Sequence, residues 1–286
     1  MTSATVLLLR NGAMRMVLDP QRGGAIRELS WRGAPLLRPT PAGLGDDPFD
    51  MACFPMVPYV NRVARGCFRY DGQDVRLQRN WDRDPHPLHG QGWKAAWSVA
   101  AASESEATLA VQGGGNDWPW KYVCEQRCRL LPDGLLVELT VRNVDDSPMP
   151  AMLGLHPYFP DRGRARLSAR LPSVWLTDAE VLPVKEIPTP VDWVFHPARD
   201  MASQALDNCF AGWDGVATLS WPDRALAIHA AGSHYLHVYS PAGRDFFCIE
   251  PQTAPPGSLE RSAGEAARLA PGEELSIRVR FEARAV

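Results

Sequence analysis

The feature that most limits what this chain can fold into is a period-two alternation carried through tight turns. In "CEQRCRLLPDGLLVELTVRN", residues 124–143, Pro132-Asp133-Gly134 supplies a turn. Beyond it Leu135, Val137, Leu139 and Val141 point one way, and Glu138, Thr140 and Arg142 the other. That is a half-buried antiparallel strand, not a helix. "CFRYDGQDVRLQ" has the same form, with Phe68 and Tyr70, an Asp71-Gly72 turn, then Val75 and Leu77. The C-terminal stretch is read as a third hairpin, Pro271-Gly272 being followed by Leu275, Ile277, Val279 and Phe281. Long amphipathic helices are hard to find, so an all-β, mainly antiparallel fold is predicted. The 26 prolines and 23 glycines are spread along the chain without forming a linker, and no fixed repeat is visible. A single domain over residues 1–286 is therefore expected, a length that β-sandwiches reach undivided.

Charge and cysteine usage narrow the function classes. With 30 Lys+Arg against 33 Asp+Glu the formal net charge is −3, which offers no basic field for nucleic acid or an anionic membrane and suits a small neutral ligand. The apolar run Val6–Leu9 is too short for a secretion-signal core or a bilayer span, so a cytoplasmic protein is expected. The six cysteines are scattered. Cys124 and Cys128 share a strand face but sit about 13 Å apart along it, so free thiols are predicted.

Chemistry is expected in the irregular stretches 40–62, 80–94, 113–120, 154–162 and 183–215. "PYVNRVARG" holds Asn61 and Arg62 among apolar neighbours, the arginine offering a planar fork of donors to hydroxyl or carboxylate oxygens. "HPLHGQGW" places His86 and His89 three apart, a metal spacing on a helix, but Pro85 and Pro87 forbid the helix and no metal site is predicted. "GLHPYFP" presses His156 between Leu155 and Pro157. In "FFCIEPQTAPPG", Phe246 to Ile249 read as a buried strand ending at Glu250, where partial desolvation would raise the carboxyl pKa and favour a base near neutrality. "ALDNCFAGWDG" adds Asp207, whose plain reading is a turn-forming Asp-Asn pair. No Ser-x-Gly elbow, P-loop, G-x-G-x-x-G or H-E-x-x-H is present. An arginine, histidines, an aspartate and a glutamate can perform proton transfer and require no cofactor.

Taken in order, "NRVARGCFRYDGQDVRL", "LHG", "GLHPYF", "LDNCF" and "IEPQT" resemble the aldose 1-epimerase, or galactose mutarotase-like, family. The resemblance spans about residues 54–256 and implies a large β-supersandwich that interconverts the α and β anomers of a free aldose. It implies Glu250 as the base that takes the anomeric O1 proton and His156 as the acid that protonates the ring oxygen. Arg62 and His89 would hold and polarise the sugar, Asn61 and Tyr158 would lie alongside, and Asp207 would accept from ring hydroxyls. A neighbouring carboxylate is expected to keep His156 protonated near pH 7. Trp93, Tyr158 and Phe159 are candidates to pack against the sugar's apolar face. Pro160 and Gln91 depart from common family residues and are expected to bear on substrate choice. The partner is a small sugar, acting on a monomer or homodimer. The alternatives are a hexose-6-phosphate epimerase drawing on Arg65, Arg83 or Lys94, a glycosidase using Asp207 and Glu250, and a sugar-binding protein without catalysis.

Overall fold

The computed structural model describes residues 6–45, 47–261 and 265–286. Two large antiparallel sheets dominate them. The larger has nine strands, with Glu274–Ala285 at its centre between Gly134–Asn143 and Arg224–Ala231. Its 124–143 hairpin forms as the alternation requires: Tyr122–Leu131 pairs with Gly134–Asn143 across a two-residue loop, and Leu135, Val137, Leu139 and Val141 are buried. The second sheet carries the site. Its order runs Pro183–Pro188, Ser173–Thr177, Leu206–Ala211, Tyr235–Ser240, Phe246–Gln252, then the short strands Gly154–Leu155 and Pro55–Met56, with Tyr158–Pro160 also on Phe246–Gln252. One face of this sheet, with Phe159, Phe210, Leu236, Val238, Phe247 and Ile249, joins the same buried cluster as Leu139 and Phe281. Among the described residues the only helical pieces are five three-residue 3₁₀ turns.

Two hairpin expectations meet different outcomes. Cys67–Tyr70 and Gln73–Arg76 do pair, with Asp71 and Gly72 both at positive φ, but as a separate ribbon whose Phe68 packs on Trp118 and Trp120. The C-terminal hairpin does not form. Glu274–Ala285 already has a partner on each edge, so the strand before the Pro271-Gly272 turn, Ala267–Leu269, pairs with Met149–Ala151 instead. All six cysteines are free. No helix among the described residues is long and apolar enough to cross a membrane.

The second sheet has a break in its ladder. Gly154 lies opposite Gln252 and Tyr158 opposite Cys248, one register on both sides of the gap, so His156 faces Glu250 across it. Two prolines without N–H donors, Pro157 and Pro251, stand beside the break. The His156 N–H turns away to Phe54 O at 2.9 Å, and Tyr158 N–H to Ala52 O at 2.9 Å.

Beside this sheet, residues 88–92 are clamped onto Val57. Gln91 and Gly92 both donate to Val57 O at 3.0 Å, and Gly90 has φ +75° with the Val57 carbonyl only 2.1 Å from where a Cβ would stand. Gly90→Ala is therefore expected to cost more than about 1 kcal/mol in urea denaturation, since both the backbone angle and the space are denied to alanine. It should also displace the adjoining His89.

Candidate active site

The pocket face of the second sheet is a small grid set by register. One row runs His156, Glu250, His237, Cys209; the next runs Tyr158, Cys248, Tyr239, Asp207. Directly opposed residues on neighbouring strands lie about 5 Å apart at Cβ, and diagonal ones remain within reach of long side chains. Thus Glu250 has an imidazole on each side. His156 Nε2 lies 3.3 Å from Glu250 Oε1, and Gln252 Nε2 donates to Glu250 Oε2 at 3.3 Å. On the diagonal, His237 Nε2 lies 2.8 Å from Asp207 Oδ1.

The other wall comes from irregular chain. Asn61 and His89 both adopt left-handed backbone, at φ 56° and 57°, and clamp one another. Asn61 N–H donates to His89 Nδ1 at 3.2 Å, and His89 N–H to Asn61 O at 3.1 Å. With Nδ1 accepting, the neutral His89 ring carries its hydrogen on Nε2. Arg62 is held from behind, its Nε donating to Asp84 Oδ2 at 2.8 Å, while Asp84 Oδ1 accepts from His86 N–H at 2.9 Å. Together these groups line a cavity of about 390 Å³, a size that admits a monosaccharide. Phe49 and Trp81 form its aromatic side, and Tyr158 stacks on His156 with ring centroids 4.8 Å apart.

Burial decides the charges. It pushes the Glu250 carboxyl up to about 7, against the pull of His237. The His156 imidazole is pushed down to about 3 by burial and then by His237, so the expectation that it stays protonated near pH 7 is corrected: loss of water and the neighbouring positive charge outweigh the upward pull of Asp207. His89 is lowered by burial and by the charges of His156 and Arg62, which favours its neutral form. Burial works against the charged form of His237 too, but Glu250 and Asp207 outweigh it and raise its pKa. At Asp207 burial pulls upward, yet the His237 hydrogen bond and nearby positive charge leave it lowered, an ionised acceptor.

All seven predicted residues, Asn61, Arg62, His89, His156, Tyr158, Asp207 and Glu250, line this one cavity. Other readings change. Asp207 lies within the strand Leu206–Ala211, not in a turn, and the Glu250 strand runs on through Pro251 to Gln252. Trp93 is fully buried with Nε1 donating to Gly90 O, and Phe159 faces the core against Phe247; Phe49 and Trp81 take the place proposed for them. His86 is not brought to His89: its Nδ1 accepts from Arg65 N–H and its Nε2 faces Glu180 at 3.4 Å. Gln91 ties Gly114 and Tyr122 together, and Pro160 accepts from Trp221, so both departures lie off the cavity. Of the suggested phosphate ligands only Arg83 lines it, joined by Arg38 and Arg244.

His237 was missed by sequence reasoning. "YLHVYS" reads as an ordinary buried strand, and the signal lay in pairing it with "FFCIE" across the Pro241–Asp245 turn, which sets His237 opposite Glu250.

The buried carboxyl has a stability consequence. Because its folded pKa is raised, its contribution is fully present below the unfolded value near 4.5 and is lost as pH rises through about 7. Glu250→Gln should therefore raise the unfolding free energy at pH 8 by up to about 3 kcal/mol, and the thermal midpoint with it, and the gain should vanish below about pH 4, as calorimetry across that range would show.

Comparison with known proteins places the chain in a family and a fold. The aldose 1-epimerase family model matches residues 5–282. The chain is 32% identical over 297 residues to YphB, an uncharacterized protein of Escherichia coli K12, covering 97% of this chain and 99% of that one. It is 25% identical over 188 residues to the aldose 1-epimerase of the same organism, covering 61% of this chain and 52% of that protein. A crystal structure of a candidate aldose 1-epimerase from E. coli K12 superposes with TM-score 0.92 at 28% identity over 99% of both chains. A galactose mutarotase-like protein from Clostridium acetobutylicum shares the fold, with TM-score 0.87 at 17% identity over 98% of this chain and 95% of that one.

Proposed function

The chain belongs to the aldose 1-epimerase family, and from that premise we propose that it is a mutarotase interconverting the α and β anomers of a free aldose. The observation that carries this reading is the His156–Glu250 pair, 3.3 Å apart at the floor of a sugar-sized cavity, with donors and an acceptor arranged around it. Glu250 takes the proton of the anomeric O1 hydroxyl. The O1–H electron pair becomes the carbonyl bond, the C1–O5 pair leaves to O5, and O5 takes a proton from His156. Rotation about C1–C2 and the reverse transfers close the other anomer. Arg62 and His89 Nε2–H donate to sugar oxygens, Asp207 accepts through the oxygen that His237 leaves free, and Asn61 and Tyr158 complete the wall.

The depressed His156 pKa fits this scheme when the pair is counted as a unit. Protonated Glu250 with neutral His156 holds the same single proton as carboxylate with imidazolium, and the two differ by one transfer between adjacent atoms. The pair loses that proton above about pH 7. Initial-rate polarimetry should therefore show kcat/KM falling on the alkaline side with an apparent pKa near 7. A rate that climbs through pH 8 would move the acid role elsewhere, with His237 the first alternative.

Glu250→Gln and His156→Asn are each expected to slow anomer interconversion by ~10²–10⁴-fold while circular dichroism stays unchanged. Full rates in both variants on the best aldose would overturn the assignment. A hexose 6-phosphate is the second reading, favoured by Arg83 and Arg244 on the cavity wall, and rates on glucose against glucose 6-phosphate separate the two. We further place the activity in one domain and in the cytoplasm, for which the six free thiols speak.

A further inference from the structure

Cys248 has no part in the proposed proton transfers, yet it occupies the middle of the grid. It is fully buried, two residues before Glu250 on the same strand face, and directly opposite Tyr158. The plain reading is a small apolar filler. What distinguishes it is its company: a ring nitrogen of His156, the Cys248 thiol and a Glu250 oxygen all lie within 4.8 Å of one another. We propose that His156, Cys248 and Glu250 form a binding site for a thiophilic divalent cation of the Zn²⁺ class, and that the bound ion blocks sugar turnover.

The geometry favours such an ion. Bonds of about 2.0–2.3 Å in a tetrahedron set donor atoms roughly 3.3–3.7 Å apart, and the His156–Glu250 distance is already 3.3 Å. The Cys248 sulfur lies within 4.8 Å of both donors, so a shift of about 1 Å brings it into the same shell. Imidazole, thiolate and carboxylate are the usual zinc donors, and the mixture excludes the hard cations that prefer oxygen alone. Three protein ligands leave the fourth position facing the cavity, where water or a sugar oxygen completes the shell. The ion enters past His156 and Glu250, which line the cavity, and expels the thiol proton on binding. Occupancy removes both groups from proton transfer, so the predicted effect is inhibition and not assistance.

The ion site stands apart from the mutarotase reading, and only the inhibition rests on it. Titration calorimetry with Zn²⁺ in a non-chelating buffer should show one ion bound per chain. Cys248→Ala and Cys248→Ser should weaken binding by at least about 10–100-fold, the cost of losing a mere supporting contact to a ligand. Co²⁺ in place of Zn²⁺ should give a near-ultraviolet sulfur-to-cobalt charge-transfer band that both variants lack. Both should keep the wild-type near-ultraviolet dichroism and mutarotation rate, and that rate should resist Zn²⁺. No binding, equal binding by wild type and both variants, or a cobalt complex without the band would overturn the site. Those readouts need no sugar, so a chain inactive on every aldose would still decide the question. Binding with the band but without inhibition would overturn the blocking role alone.

Discussion

The pairing register of the strand Phe246–Gln252 is the constraint on which the rest of the site depends. Because side chains alternate along a strand, one register places His156, Glu250 and His237 in a row on the cavity face and sends Phe247 and Ile249 into the core. Core and site are thus two faces of the same choice. A slip of one residue would expose the phenylalanine and bury the carboxylate among aliphatic groups, so hydrophobic packing enforces the arrangement of His156, Glu250 and His237.

The same register concentrates charge that water would otherwise disperse. Glu250 sits between two imidazoles, while Arg62 and Asp207 act on it from farther off. Burial sorts these groups into roles. His156 and His89 are held toward their neutral forms, whereas His237 is drawn toward its charged one by two carboxylates. Three histidines with one intrinsic chemistry thereby acquire different proton affinities within a single cavity.

Much of this was legible in the sequence where local patterning dominates. The alternation and Pro-Asp-Gly turn of residues 124–143 specified their hairpin, and the family motifs carried all seven site residues into one cavity. Legibility failed wherever a strand chooses a distant partner. The pattern of Glu274–Ala285 shows which residues face inward, but not that Gly134–Asn143 and Arg224–Ala231 fill both its edges. His237 was overlooked for the same reason, its meaning coming from the strand opposite. The protonation of His156 was misjudged because a neighbouring charge can be inferred from motif roles, whereas the depth of burial cannot.

The mutual clamp of Asn61 and His89 is held by two hydrogen bonds, and the grid beneath it by strand pairing. Trp81, Arg83 and Arg244 also line the cavity but belong to segments between strands, and both arginines are exposed. On the proposed reading, substitutions at this exposed rim would alter which sugar is admitted while leaving the buried His156–Glu250 pair in place.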